Sequence, residues 1–374
     1  MSGPDRIDSS RRSRSRPTLV FSFDDSHFSF HATVMRQPSA FVRSAALSNY
    51  AEAAALAGLD PGVMLRRAGV DPRALTDPDV RIPTGRVVDL LEMSASQSGC
   101  ESFGLRMAET RRLADLGALS LLIAHQATMR DALMTVIGYR PLLNPSLVVA
   151  VEEGAGVVVV REELLLTGHG AMRQAYELAL GVLYRMFRAV LGPRWRPHSV
   201  NFAHGRPADL TVHRRLFGAA SEFDSEFYGL TCGSTDLETQ NPSADPALAR
   251  HAERYVRTLP NAEPGSLGED VRKAVVLLLP AGQASIGQVA ARLGLSERTL
   301  QRRLLAEDAD FSRLLNDIRR ELAARYAANR SLPLSHVAGM VGYTRQSSFS
   351  RWFAIEFGMT PTAWRRRSAV PGAR

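Results

Sequence analysis

Between Leu293 and Glu307 the chain reads LGLSERTLQRRLLAE. As a helix, this segment keeps Leu300 and Leu304 on one side and turns Arg298, Gln301 and Arg302 to the other. The arginine fork of donors matches the O6 and N7 acceptors of guanine, and a glutamine amide matches N7 and N6 of adenine. Such a stripe suits the reading of base edges in a DNA major groove. Ser296 stands where an N-cap belongs, its hydroxyl free to accept from a backbone N–H of the first turn.

Placing that stripe takes a second helix and a tight turn. Residues 285–304 (SIGQVAARLGLSERTLQRRL) supply both. Ala290 is small where the two helices must approach, and Gly294 falls at the turn, where φ > 0 is needed. Leu300 packs back on the first helix. The arrangement recurs over 335–353 (SHVAGMVGYTRQSSFSRWF), with Ala338 and Gly342 at the same spacing. Its apolar anchor, Phe349, comes one residue later after the glycine, so the second turn is longer. Between the two, FSRLLNDIRRELAARYAAN sets Phe311, Leu314, Leu315, Ile318 and Leu322 on one helical face, a connector able to hold the units in fixed relation. Two units on one rigid connector let a single chain enter two successive major grooves.

The charge agrees with this division. The chain has 374 residues and a formal net charge of +8. Residues 267–367 hold 16 Arg/Lys against 9 Asp/Glu, and residues 41–266 hold 23 against 25. A basic module on a near-neutral partner is the pattern of a polyanion binder, although a codon preference for arginine accounts for most of these residues without any role. The two cysteines, Cys100 and Cys232, are far apart, which fits a reducing compartment and excludes a disulfide scaffold or a cysteine-based zinc site. Neither a membrane-spanning apolar run nor a secretory signal is present.

Residues 1–40 are Ser/Arg-rich without helical period and read as a disordered extension. The alternatives are a basic arm lying on DNA, or translation starting at Met35. From Ala45 helical patterns follow: ALSNYAEAAALAGLD, PGVMLRRAGVDPRAL, PTGRVVDLLEMSASQSG, and two more within LGALSLLIAHQATMRDALMTVIGY. SLVVAVEEGAGVVVVRE then reads as a β-hairpin, GHGAMRQAYELALGVLYRMFRAVLG as a long buried helix, and HSVNFAH and YGLTCG as strands. The expectation is a multi-domain protein: an α/β (mixed α+β) regulatory domain over 41–240, then a helix and linker over 241–266. An all-α DNA-binding domain of short helices over 267–367 and a flexible tail over 368–374 complete it.

The last hundred residues resemble the DNA-binding domain of the AraC/XylS family of bacterial transcription regulators. VAARLGLSERTLQRRL, FSRLLNDIRRELAARY, VAGMVGYTRQSSFSRWF and FGMTPTAWRR occur in that family's order, including the longer second turn and the closing Gly358 and Pro361. Residues 45–240 are similar to the arabinose-binding-like N-terminal domain of one subgroup, through AGLDPGVMLRRAGVDPRALTDPDVRIPTGRVVDLLE, FGLRMAE and VNFAHGRPAD with RRLFGAASEFD. The resemblance implies base contacts by Arg298, Gln301 and Arg302 from the first unit and by Gln346, Ser347, Ser350 and Arg351 from the second. Ser296, Thr299, Thr344, Arg345, Arg365 and Arg366 fit phosphate contacts, with Arg367 beside them. Arg303 departs from the apolar residue frequent in the family at that place. The resemblance further implies double-stranded DNA, RNA polymerase and a small-molecule effector as partners. It also implies a homodimer, activation of transcription, and a cytoplasmic, nucleoid-associated location.

Two other functions stay open at this stage: an N-terminal domain that serves only for oligomerisation or protein interaction, and a nucleoid-type binder without sequence preference. An enzyme is not expected. The chain has no Gly-rich phosphate loop, HExxH or GxSxG, and no cofactor or metal is implied. His125, His169, His198, His204 and His213 are spread over separate elements and read as structural or surface residues.

Overall fold

A computed structural model describes residues 41–166, 169, 171–218, 220–259, 266–330 and 332–367. The Ser/Arg-rich start, part of the linker and the C-terminal tail lie outside the described residues. A short antiparallel ribbon, β1 (Phe41–Arg43) on β2 (Arg81–Pro83), brackets α1 (Tyr50–Leu56) and α2 (Pro61–Ala68). The helix expected from Ala45 starts later, because Asn49 takes a left-handed conformation at φ 64° and breaks it. Helix α2 opens on Asp60, whose carboxylate accepts from Val63 N at 2.9 Å. Then come α3 (Thr84–Ser98), α4 (Phe103–Glu109), α5 (Ala118–Ala124) and α6 (Met129–Gly138).

The hairpin is β3 (Leu147–Gly154) with β4 (Val157–Leu164), and α7 (Arg173–Leu191) follows. Next are β5 (Ser199–Asn201), α8 (Thr211–Phe217), β6 (Ser221–Glu222), β7 (Tyr228–Gly233), α9 (Ser234–Glu238) and α10 (Pro246–Arg257). The five strands order as β3-β4-β7-β5-β6, antiparallel except for the β5–β6 pair. The expected strands and hairpin are there, while α4, α8, α9 and β6 are too short to show a period. Helix α10, expected in the boundary segment, buries Ala252 and Val256 in the first domain's core.

The sheet serves two cores, because alternate residues of a strand face opposite ways. Val158, Val160 and Leu164 of β4 join Tyr176, Leu180 and Phe187 of α7 in the first core. Val148 of β3 belongs instead to the core of the C-terminal domain, with Leu165 packed against it. That domain consists of α11 (Leu267–Leu278), α12 (Ile286–Arg292), α13 (Glu297–Ala306), α14 (Phe311–Ala328), α15 (Leu334–Met340), α16 (Gln346–Phe357) and α17 (Pro361–Arg367). The mixed α+β domain followed by an all-α domain is as the sequence led us to expect. Among the otherwise short helices α14 runs for 18 residues, over the segment read as the connector.

Candidate nucleic-acid interface

Each unit is a pair of helices closed by its own local rules. In the first, Ser285 accepts from Gln288 N at 3.3 Å and Ser296 from Thr299 N at 3.2 Å, capping α12 and α13. Between them Gly294 sits at φ +66°, a conformation that costs an L side chain roughly 1–2 kcal/mol. Gly342 holds the matching place between α15 and α16 at φ +82°. Ala290 and Leu300, and Ala338 and Phe349, are buried where the paired helices meet. Helix α16 has no side-chain cap: the position belongs to Arg345, in extended conformation.

Helix α14 is the spine between the units. Ile318, Leu322, Ala323 and Ala327 are buried along it, with Phe311, Leu314 and Leu315 partly so. Trp352 Nε1 of α16 donates to Asn316 Oδ1 at 3.1 Å, and the Asn316 amide donates to Glu356 at 3.2 Å. Trp364 Nε1 of α17 donates to Ala324 O at 3.0 Å. Arg319 Nε donates to Val341 O at 3.0 Å, holding the second turn. At the other end, Glu307 accepts from Leu267 N and Gly268 N, both at 3.0 Å, and so ties the loop after α13 to the start of α11.

Against this background the arginines sort into two groups. Arg272 pairs with Glu321 at 3.4 Å, Arg320 with Glu356 at 3.1 Å, and Arg319 lies over the Tyr343 ring. Arg298 and Arg302, with Gln301, are exposed and have no hydrogen bond or ion pair among the described residues. Arg303 is exposed as well, so it meets solvent rather than a neighbouring helix. On α16, Gln346, Ser347 and Arg351 are exposed and Ser350 partly buried. Thr344, Arg345 and Arg366 are exposed, and Thr299 is half-buried, its hydroxyl 2.8 Å from that of Ser296.

Arg365 differs from its expected place among phosphate contacts. Its Nε donates to Ala327 O at 2.8 Å and its Nη2 to Leu332 O, which fastens α17 to the end of the spine. Nothing local distinguishes it from Arg366. Its direction is set by where α17 crosses α14.

The sequence reading also dispersed the histidines. The structure brings His204 and His213 to Glu177 of α7, at 3.1 and 3.9 Å. No short-range pattern signals this meeting, since the three residues come from separate elements. Among the described residues no group of three or more His, Cys, Asp or Glu is arranged to hold a metal. Cys232 is a free thiol, pushed up to about 12 by burial. No helix of the described residues is long and apolar enough to cross a membrane.

Two helix-turn-helix units on one spine, joined to a helix-and-sheet domain, define a DNA-binding transcription regulator of two domains. Residues 58–241 match the family described as the arabinose-binding domain of AraC transcription regulator, N-terminal, and residues 289–367 match a helix-turn-helix domain family. The chain is 31% identical over 333 residues to the HTH-type transcriptional regulator VirS of Mycobacterium tuberculosis, covering 88% of this chain and 98% of that one. It is 25% identical to the ornithine utilization regulator of Pseudomonas aeruginosa over 340 residues, 88% of this chain and 99% of the other. Among solved structures, the transcriptional regulator CdpR of Pseudomonas aeruginosa aligns with 82% of this chain and 96% of its own at 22% identity and a TM-score of 0.40. The chain belongs to the AraC-type transcriptional regulators that carry the arabinose-binding N-terminal domain.

Proposed function

We propose that this protein reads a specific DNA sequence through two successive major grooves and does so under the control of a small-molecule effector bound by its N-terminal domain. The supporting observation is the unpaired row Arg298, Gln301 and Arg302 on an exposed face of α13. Five other arginines of the same domain, Arg272, Arg319, Arg320, Arg325 and Arg365, are instead tied to a carboxylate, a carbonyl or a ring. Donors left free on a capped, buried-backed helix are available to base edges. From α16, Gln346, Ser347, Ser350 and Arg351 face the second groove; this set is poorer in long donors and leans more on DNA shape. Ser296, Thr299, Thr344, Arg345 and Arg366 contact phosphates, which position the protein without reading sequence.

The family resemblance supports the rest of this reading: a homodimer in the cytoplasm, associated with the nucleoid, activating transcription by contact with RNA polymerase. Fluorescence anisotropy of the full chain, on a duplex selected from random sequence and on a scrambled one, tests the central claim. The selected duplex is expected to bind at least about a thousandfold more tightly. Equal affinity for the two would leave a nucleoid-type binder instead.

A further inference from the structure

Beneath the sheet, groups from distant parts of the chain meet at Glu177, in the first half of α7. Its carboxylate is fully buried. Oxygen Oε1 accepts from Arg173 Nε at 3.0 Å and lies 3.1 Å from His204 Nε2, which approaches without hydrogen-bond direction. Oxygen Oε2 has no hydrogen-bond partner among the described residues, nor have Arg173 Nη2 or either ring nitrogen of the fully buried His213. Each such orphan carries the uncompensated cost of its desolvation. A core that gathers four of them in one place is stabilised poorly as packing and is suited to receiving a polar guest.

The walls say which guest. Phe202 and Phe223 stack at 5.2 Å, and His213 lies 5.2 Å from each ring. His204 stands 5.8 Å from both Phe223 and Tyr228. His204 and Phe223 are only half-buried, so the cluster reaches the surface on their side. The Glu177 carboxylate faces the guanidinium of Arg173, and the neighbouring carboxyl of Glu92, whose burial raises its pKa, accepts from Gln174 N at 2.7 Å. Burial holds His213 neutral, with its pKa down to about 4. An anion would meet the Glu177 carboxylate, and an apolar guest would leave Oε2 bare. A cation finds both a carboxylate oxygen and aromatic faces.

We propose that this cluster is the effector site and that it takes a small organic ammonium, held by Glu177 Oε2 and the rings of Phe202, Phe223 and Tyr228. The assignment rests on the effector-sensing reading above. Its occupancy has a route to the spine. Tyr228 stacks on Tyr176 at 4.0 Å and 9°, and Tyr176 immediately precedes Glu177 on α7. The Tyr176 hydroxyl takes a hydrogen bond from Arg325 Nη1 of α14, whose guanidinium lies 5.6 Å from that ring. A guest that shifts Glu177 and Tyr228 therefore shifts the hydroxyl on which Arg325 rests.

Thermal unfolding of the full chain with millimolar n-butylamine, n-butyrate and n-butanol tests the site. The amine is expected to raise Tm by a few degrees and the other two to leave it unchanged. Glu177→Gln should cancel that rise, and so should Phe223→Ala at the half-buried rim, which serves if the first variant does not fold. An equal response to all three probes, or an amine response that survives in the variants, overturns the site. If a metabolite panel stabilises the natural chain and Glu177→Gln alike while butylamine does nothing, sensing stands and this site falls. If the panel and the amine are both silent, the two fall together. In Arg325→Lys the amine should still raise Tm but lose its effect on DNA affinity, expected at about fivefold or more in the natural chain. An unchanged effect in that variant overturns the route through Tyr176.

Discussion

Arg325 Nη1 and Glu163 Oε1 lie 2.5 Å apart, joining the spine of the DNA-binding domain to strand β4 of the N-terminal domain. Tyr326 Oη donates to the same carboxylate at 3.1 Å, Arg325 Nη2 to Leu164 O at 2.9 Å, and Asn329 Nδ2 to Ala203 O at 2.6 Å. His336 meets Glu226 at 3.2 Å further along. The helix that sets the relation of the two helix-turn-helix units is thus itself set by the sheet.

Removing one side of this pair leaves a charge buried without its partner, and Glu163→Gln should destabilise the chain by about 2–4 kcal/mol. The loss falls short of an isolated pair's because Glu321 remains 3.7 Å from Arg325. Urea denaturation measures it, and a change below about 0.5 kcal/mol would show that the seam does not hold the domains.

Arg302→Ala should cost about 1–3 kcal/mol of binding on the selected duplex and relax preference at one base pair, while Arg366→Ala should weaken selected and scrambled duplexes alike. Anisotropy titrations at several salt concentrations separate the two effects, because the phosphate contact alone lowers the salt slope by about one. Equal losses on both duplexes for Arg302→Ala would remove it from base reading.

Gly294→Val places a β-branched side chain at φ +66°. Space is not the obstacle, since nothing lies within 4 Å of an added Cβ. The strain is in the backbone, and the first unit should lose at least about 1–2 kcal/mol. Hydrogen exchange of α12 and α13 reads this locally. Unchanged protection there would mean that the turn tolerates the strain.

Two buried groups titrate in opposite senses. His213, down to about 4 from 6.5, stays neutral in the fold while the unfolded chain binds a proton, so its contribution is present above pH 6.5 and lost as pH falls towards 4. Glu162, raised to about 8 from 4.5 by burial alone, stays protonated in the fold. Its contribution is full below pH 4.5 and lost as pH rises through 8. The two slopes offset each other between 4.5 and 6.5, and stability should decline from pH 6.5 to 8 by about 2 kcal/mol. Glu162→Gln should abolish that alkaline decline in urea midpoints. A decline that persists in the variant would assign it to other groups.

The helix-turn-helix half was legible because its rules are local. Ala290, Gly294 and Leu300 fix a turn within a dozen residues, and Ser296 caps its own helix, so sequence spacing carried the geometry. The hairpin Leu147–Leu164 was legible for the same reason. Tertiary structure alone decided which face of that hairpin meets α14, that Arg365 points inward while Arg366 does not, and that Glu177, His204 and His213 converge. Those outcomes depend on the angles at which separate elements pack, which follow from summed burial across the whole chain. Periodicity and capping act over a few residues and leave those angles open.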